Sequence, residues 1–231
     1  MLHLLLFVVW CLPPSRAKNR LLTRLGHPVD PTATALPNLV WKVKTISMSP
    51  GSHIDRANVF KSMNRVELGT NATIGRYNLV SAHPAFARLY PTGATLMLGP
   101  ESFITGLHHM DCSGSFSLGA FGALAGHQTR VMTHAIDLER NAQAAYPISV
   151  GERSFVSARC LLLGGSALPA RSVLGAGSAL LGSTDVEKQG LYAGSPARFK
   201  RELGGAWFDR QEKSTTSIYV PDSDDTVSEA F

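Results

Sequence analysis

The sequence has few cysteines and no long apolar run, and each shortage excludes a class of protein. Three cysteines, Cys11, Cys112 and Cys160, are an odd number without metal-ligand spacing. They argue against a disulfide framework and favour a reducing compartment. The apolar stretch at residues 2–12 is too short for a helix across a bilayer core of about 30 Å. We therefore expect a cytoplasmic protein.

Basic runs interleaved with aromatic residues are also missing. The chain has 22 Lys and Arg against 17 Asp and Glu, a net charge of +5, but the basic residues are scattered. This distribution disfavours nucleic acid as a partner. A modest positive charge suits a small polyanionic ligand such as a nucleotide. With 44% apolar and 17% charged residues, the composition is typical of a globular protein.

A repeat with a period of six dominates the second half of the chain. Aliphatic residues occupy every sixth position, at Val150, Val156, Leu162, Leu168, Leu174, Leu180 and Val186. Small side chains follow four residues after the first six, at Ser154, Cys160, Ser166, Ser172, Ser178 and Thr184. A period of six contains the strand period of two and leaves room for a corner. Three hexapeptides close a triangular turn, so the pattern predicts an all-β solenoid, the parallel β-helix.

The same period occurs earlier, with interruptions. It is carried by Met48, Ile54, Phe60, Leu68, Ile74, Val80, Leu98, Ile104, Met110, Leu118 and Leu124. The repeat breaks at residues 84–95 and, for longest, at 129–147. Loops that leave a solenoid and rejoin it are where such folds place recognition chemistry.

These patterns divide the chain into four parts. Residues 1–45 are an apolar and basic segment, 46–193 the β-helix, 194–213 an extension, and 214–231 a polar tail that we expect to be disordered. The first segment could dock on the body or contact a membrane surface, where its basic residues would suit anionic lipid at the inner membrane face. A cleaved signal peptide is the less favoured alternative, since no charge precedes the apolar run.

Three short runs resemble the hexapeptide-repeat acyltransferases, which include sugar O-acetyltransferases similar to galactoside acetyltransferase. They are the run from Val150-Gly151 to Val156-Ser157, Leu174-Gly175-Ala176-Gly177-Ser178 and Ala193-Gly194-Ser195-Pro196-Ala197. The resemblance covers about residues 46–200 and is most specific from Thr133 to Arg201. It implies a left-handed β-helix, a homotrimer, acetyl-CoA or another acyl-CoA as co-substrate and no metal. It also implies a small-molecule or glycan hydroxyl as acceptor, as in polysaccharide biosynthesis.

The resemblance also implies a catalytic base. In these enzymes a histidine at the mouth of the long loop takes the proton of the acceptor hydroxyl, and Thr133-His134 matches that position. Imidazoles titrate near neutral pH and suit this task. His127 is the rival base or an acceptor contact. Asp137 and Glu139 could orient the imidazole, bind the acceptor or be solvated charges.

Other positions carry over to ligand binding. Asn78 could face the acceptor, or could belong to an internal asparagine ladder. For the cofactor, the resemblance implies that the backbones of Ala158 and Ala176 line the pantetheine groove and that Arg198 and Lys200 lie near the nucleotide phosphates.

Two alternatives belong to other functional classes. A zinc carbonic anhydrase of the same solenoid class needs three histidines that meet at a subunit boundary, and His108, His109, His127 and His134 are enough in number. A non-catalytic scaffold is the other, because the fold alone does not determine function.

Overall fold

The computed structural model describes residues 2–184 and 188–228, most of which form a parallel β-helix. Each turn of the helix is here called a coil, and each of the first six coils contributes one strand to each of three sheets. The predicted all-β fold, a left-handed parallel β-helix, is confirmed.

The strands are numbered along the chain. Sheet 1 consists of β1 (Thr34–Ala35), β4 (His53–Ile54), β7 (Thr73–Ile74), β10 (Phe103–Ile104), β13 (Ala123–Leu124), β18 (Phe155–Val156), β21 (Val173–Leu174), β23 (Leu191–Ala193) and β24 (Arg198–Arg201). Sheet 2 consists of β2 (Leu39–Trp41), β5 (Val59–Lys61), β8 (Leu79–Ser81), β11 (His109–Asp111), β14 (Arg130–Met132), β19 (Leu161–Leu163) and β22 (Ala179–Leu180). Sheet 3 consists of β3 (Thr45–Met48), β6 (Arg65–Leu68), β9 (Thr95–Leu98), β12 (Phe116–Leu118), β17 (Ile148–Val150) and β20 (Ala167–Leu168). Neighbouring strands in the sheets are parallel except β23 and β24.

The remaining elements are insertions and ends. Two antiparallel hairpins are formed by β15 (His134–Asp137) with β16 (Ala142–Ala145) and by β25 (Ser217–Val220) with β26 (Asp225–Ser228). The helices are α1 (Leu2–Trp10), α2 (Arg16–Arg24), α3 (Pro84–Leu89) and a 3-10 turn (Ala206–Asp209).

The hexapeptide residues stack from coil to coil in the interior. In sheet 3, for example, the paired column is Met48, Leu68, Leu98, Leu118, Val150 and Leu168. All six predicted small residues, from Ser154 to Thr184, are buried at corners. The last predicted aliphatic position, Val186, lies outside the described residues. Because the parallel strands close into a tube, one six-residue period specifies both the aliphatic residues of the core and the small residues at the corners.

A ladder of side chains runs inside the corner between sheets 1 and 2, here called corner 1–2. The amides of Asn58, Asn78 and His108 donate to the side-chain oxygens of Asn38, Asn58 and Asn78, at 2.8, 2.9 and 2.9 Å. Asn78 is 1% exposed, and its Nδ2 donates to the carbonyls of Gly75 and Thr105. The expectation that Asn78 binds the acceptor is therefore wrong, because its polar atoms are engaged inside the tube.

The N-terminal segment docks on the first coils. α1 packs against β2 and buries Leu6, Val9 and Trp10. Lys18 Nζ donates to the carbonyls of Leu12 and Ala35, at 2.7 and 2.8 Å, and so ties the end of the apolar segment to the first coil. The outer face of α1 leaves Leu2, Leu4, Leu5 and Val8 exposed. Among the described residues, no helix is long and apolar enough to cross a membrane.

Two boundaries differ from the sequence prediction. The β-helix begins at Thr34 rather than at residue 46, because Ala35 and Val40 already point inward although their spacing is not six. Residues 217–228 form an exposed hairpin within the tail that we expected to be disordered. Tyr219 Oη donates to Asp224 Oδ1 across its turn, at 2.9 Å.

Candidate active site

The longest interruption of the repeat projects from the corner between sheets 2 and 3, here called corner 2–3. Thr133 follows β14, and His134 then begins the hairpin β15–β16, which rejoins the coil at β17. The amide of Tyr146 donates to the carbonyl of Thr133 at 2.8 Å and closes the base of the hairpin. Its outer residues are exposed, as at Leu138, which is 87% exposed. His134 thus lies at the mouth of an insertion, as the sequence predicts.

Asp111, at the end of β11 one coil earlier, is the hydrogen-bond partner of His134. The bond joins His134 Nδ1 to Asp111 Oδ2. The aspartate is 6% exposed, while 29% of the histidine side chain is accessible. A carboxylate only accepts hydrogen bonds, so Nδ1 carries the proton in this pair and Nε2 is the free basic nitrogen of the neutral ring.

Ser113 holds the other carboxylate oxygen. Its amide and its hydroxyl both donate to Asp111 Oδ1, at 2.8 and 2.6 Å. The hydroxyl in turn accepts the amide of His83, at 2.9 Å. Because hydrogen bonds to the charged form stabilise a carboxylate, the buried Asp111 is compensated by donors on both oxygens.

Thr133 fixes the backbone that leads into His134. Its amide and hydroxyl donate to the carbonyl of Asp111, at 3.2 and 2.9 Å. The same hydroxyl accepts the amide of Gly114 at 2.8 Å. A Cβ on Gly114 would lie 2.4 Å from the carbonyl oxygen of Tyr146, so this close approach requires glycine. Two neighbouring coils therefore hold the histidine and the aspartate in one arrangement.

The other insertion, which the sequence predicts at residues 84–95, also lies next to His134. His83 caps α3 by accepting the amide of Ala85 at its Nδ1, and its ring centroid lies 6.2 Å from that of His134. The ring of Phe86, on α3, lies 5.9 Å from His134. Helix α3 thus forms a wall beside the imidazole. Asp111, Ser113, His83 and Phe86 were not predicted as site residues.

His127 lies elsewhere, in a groove along corner 1–2. It lines a cavity of about 600 Å³ together with Gly126, Ala158, Arg159, Ala176 and Gly177. Its Nδ1 lies 3.2 Å from the carbonyl oxygen of Gly106. The structure therefore brings His127 together with the two alanines predicted for the cofactor, and places His134 at a different corner.

The small residues of this groove keep adjacent coils close together. A Cβ on Gly126 would lie 2.5 Å from the Cβ of Ala158. Arg159 Nε donates to Gln128 Oε1 at 3.0 Å.

Arg198 and Lys200, the two basic residues predicted for nucleotide phosphates, are exposed on β24. β24 is the last strand of sheet 1, and Arg198 pairs with Ala193 there.

The two acidic residues considered for orienting the imidazole do not hydrogen-bond to His134. Asp137 Oδ1 accepts the amide of Arg140 at 3.0 Å, and Oδ2 accepts Arg140 Nη1 at 2.6 Å. These hydrogen bonds lower the pKa of Asp137 below its usual range. Glu139 is exposed. The prediction that either residue could orient the imidazole is wrong, because Asp111 occupies that place.

The histidines considered for zinc are dispersed. His108 is 2% exposed, and its Nδ1 accepts the amide of Thr129 at 3.2 Å. Burial lowers its pKa to about 4. His109 is exposed on β11. Within residues 2–184 and 188–228, no three His, Cys, Asp or Glu side chains are grouped so that they could hold a metal ion.

Comparison with known proteins gives distant structural similarities. No protein-family model and no curated protein matches this sequence. The hexapeptide-repeat acetyltransferase VCA0836 from Vibrio cholerae O1 biovar eltor, solved with acetyl coenzyme A, is 21% identical over 60% of this chain and 71% of that chain, with a TM-score of 0.45. A hexapeptide transferase family protein from Anaplasma phagocytophilum is 17% identical over 78% and 81%, with a TM-score of 0.43.

A third similar structure is the polySia-specific acetyltransferase NeuO. It is 12% identical over 77% of this chain and 80% of that chain, with a TM-score of 0.43.

Proposed function

We propose that this chain is an acyltransferase that moves an acetyl or other acyl group from acyl-CoA to a hydroxyl of a sugar or glycan. The observation that carries the proposal is the buried Asp111 hydrogen-bonded to His134 at the mouth of the projecting hairpin. The resemblance of the repeats to hexapeptide acyltransferases supports the same conclusion.

His134 would act as the general base. A sugar hydroxyl is a poor nucleophile at neutral pH unless its proton is removed as it attacks. The free Nε2 of His134 can take that proton, and Asp111 then stabilises the imidazolium that forms. Positioned bases of this kind typically contribute about 10² to 10⁴ in rate. The wall of α3 would limit access of water to the ring.

The groove at corner 1–2 fits an extended, narrow ligand arm. Acyl-CoA would supply the thioester that is attacked. Ala158 and Ala176 leave room for its pantetheine arm, and Arg159 stands at the same groove. Arg198 and Lys200 would lie toward the phosphates, where positive charge is needed.

The base and the groove lie at different corners of one chain, which favours a homotrimer as the active form. A head-to-tail ring of three copies would set corner 2–3 of each chain against corner 1–2 of its neighbour. Backbone amides of the neighbour could then stabilise the oxyanion of the tetrahedral intermediate.

Thioester turnover tests the proposal directly. Free thiol is measured with acetyl-CoA and a panel of oligosaccharides, for the wild type, His134→Ala and His127→Ala. We expect His134→Ala to lower kcat by about 10² to 10⁴ without changing the Kd for CoA, since the imidazole acts on the acceptor. His127→Ala should alter mainly binding, since its side chain lies in the groove.

The contrary results are specific. Full activity of a folded His134→Ala variant would reject the base, and the absence of thiol release from the wild type would favour the scaffold. Carbonic anhydrase activity that is lost on chelation of zinc would favour the carbonic anhydrase alternative.

Mixed assemblies test the trimer. His134→Ala subunits lack the base, and Ala158→Trp subunits have a filled groove. Co-refolded mixtures should recover activity that neither variant has alone, because some contacts then join an intact base to an intact groove. A monomeric mass, or mixtures without recovered activity, would reject a site shared between subunits.

A further inference from the structure

A second cavity, of about 280 Å³, lies at corner 2–3 beside α3. The proposed chemistry uses none of the residues that line it. It is lined by Lys42, Lys44, Ser62 and Asn64 from the turns of the first two coils, and by Ala87 and Arg88 from α3. Its size is near the lower end for small-molecule sites, so it would suit one compact unit of a ligand.

Two polar atoms buried behind the lining of this cavity have no hydrogen-bond partner among the described residues. Ser62 is 5% and Asn64 8% exposed, and neither Ser62 Oγ nor Asn64 Oδ1 has a hydrogen-bond partner among the described residues. Asn64 Nδ2 donates to the carbonyl of Gly93 at 3.2 Å, which fixes Oδ1 as the free acceptor. Both atoms are closed off from solvent, so a donor on a ligand reaches Asn64 Oδ1 only when the side chain turns towards the cavity. Because buried polar groups are rarely left unpaired, a ligand with an O–H or N–H donor would favour that turn.

Positive charge surrounds the same cavity. Lys42, Lys44 and Arg88 are exposed, and none of them forms an ion pair within the described part of the chain. Lys44 Nζ only reaches the carbonyl of Ala87, at 3.5 Å. Three uncompensated cations favour an anionic ligand. An anion that also carries hydroxyl groups satisfies both requirements.

We propose that this cavity, the anion pocket, binds a sugar unit that bears a carboxylate or a phosphate and anchors the acceptor. The proposal rests on the proposed function. Helix α3 joins the two sites, since Ala87 and Arg88 line the pocket while Phe86 contacts His134.

The separation of the two sites defines the acceptor further. Asn64 belongs to the second coil and His134 leaves the fifth, so three coil spacings of about 4.8 Å place them roughly 14 Å apart along the tube. That is more than one sugar ring spans. An anchoring group held beside Asn64 and an acylated hydroxyl at His134 would therefore belong to different units of an acidic oligosaccharide.

Three probes of similar length test the pocket: trigalacturonate, phosphorylated maltotriose and neutral maltotriose. Each is titrated against the full-length protein by calorimetry and assayed as an acceptor. The double variant Lys44→Gln/Arg88→Gln removes two exposed charges, and Arg24→Gln, on the exposed end of α2, is the matched control.

We expect the wild type to prefer one of the charged probes to maltotriose. The double variant should raise KM for the preferred probe by about tenfold or more, as expected for two lost charge-assisted contacts, and leave the Kd for CoA unchanged. The control should match the wild type. Comparison of the two charged probes distinguishes a carboxylate from a phosphate as the anchor.

Asn64→Leu separates binding from folding. Thr95 Oγ1 also donates to the carbonyl of Gly93, at 3.1 Å, so the substitution removes an unpaired acceptor without stripping that carbonyl of its partner. The variant should keep or raise the wild-type Tm while it weakens binding of the charged probe.

Each contrary result has a definite meaning. Equal use of charged and neutral probes, or equal loss with both in the double variant, would reject the anion pocket while the acyltransferase stands. A raised Kd for CoA in the double variant would reject it as an acceptor site. Binding of a charged probe without any acyl transfer by the wild type would overturn the proposed function and with it the acceptor role.

Discussion

Replacing Asp111 by asparagine keeps the size of the side chain and changes the group that faces His134. Ser113 donates two hydrogen bonds to Asp111 Oδ1, so the amide oxygen of the variant should remain there. The amide nitrogen then faces His134 Nδ1. Because this nitrogen is a donor, Nδ1 must become an acceptor, and the ring proton moves to Nε2. His134 in this tautomer cannot take a proton from an acceptor at Nε2.

The wrong tautomer should lower kcat by about 10² to 10⁴. This is the rate factor that a general base typically contributes, and a catalytic histidine loses up to about 10⁴ when asparagine replaces the aspartate that orients it. Acyl transfer is measured under saturating acyl-CoA, and the Kd for CoA should stay unchanged because Asp111 is not in the groove at corner 1–2. ¹⁵N chemical shifts of the His134 ring provide an independent readout, since the two tautomers differ in which nitrogen is protonated.

Asp137→Asn is the matched control for this substitution. Asp137 is paired with Arg140 on the hairpin, so the same carboxylate-to-amide change there should leave the tautomer of His134 unaltered. Wild-type kcat in Asp111→Asn, or an unchanged tautomer, would refute the role of Asp111. A larger loss in Asp137→Asn would return the orienting role to the hairpin.

Three further predictions concern stability and surface. Burial lowers the pKa values of His108 and His27 to about 4, so the folded state binds fewer protons, and stability should fall as the pH drops from about 6.5 towards 4. The free energy of unfolding should fall by about 2 kcal/mol per histidine by pH 5. His108→Asn keeps an acceptor in the ladder and should remove the part of this loss that comes from His108, as measured by urea titrations. An unchanged pH dependence would contradict this. Leu168→Ala should cost about 2 to 5 kcal/mol in the same assay through lost burial and a cavity, and a cost near zero would reject its inward position. Replacing the exposed Leu4 and Val8 by glutamine should reduce co-sedimentation with anionic vesicles without lowering Tm, whereas unchanged sedimentation would argue against membrane contact.

The fold could be predicted from the sequence because each coil has the same packing requirements and meets them with the same pattern of residues. An inward aliphatic residue and a small corner residue recur at fixed spacing, and the columns of paired strands follow from them. The signal fails where the spacing changes. Ala35 and Val40 face inward in the first coil without a spacing of six. Val131 continues a core column inside the stretch that the broken repeat assigns to a loop.

The partner of the proposed base, His134, could not be predicted in the same way. His134 is visible in the sequence because it stands where the repeat stops, but Asp111 occupies an ordinary place at the end of a strand. The two meet because Asp111 pairs with Met132 across neighbouring coils. The coil from Met110 to Val131 is longer than three hexapeptides, so counting along the chain does not reveal this register. The available signal in the sequence was an aspartate directly after the predicted core residue Met110.

The proposed base lies at corner 2–3 for a physical reason. The interior of the tube is filled mainly by stacked aliphatic residues, and its flat faces are strand ladders, so accessible polar groups converge most readily where the chain leaves a coil. The chain leaves corner 2–3 twice, at α3 and at the hairpin β15–β16, in the third and fifth coils. Phe86 and His134 bring these two insertions into contact. An acceptor held beside α3 is therefore within reach of the base, and a change in α3 should alter acceptor choice before it alters the fold.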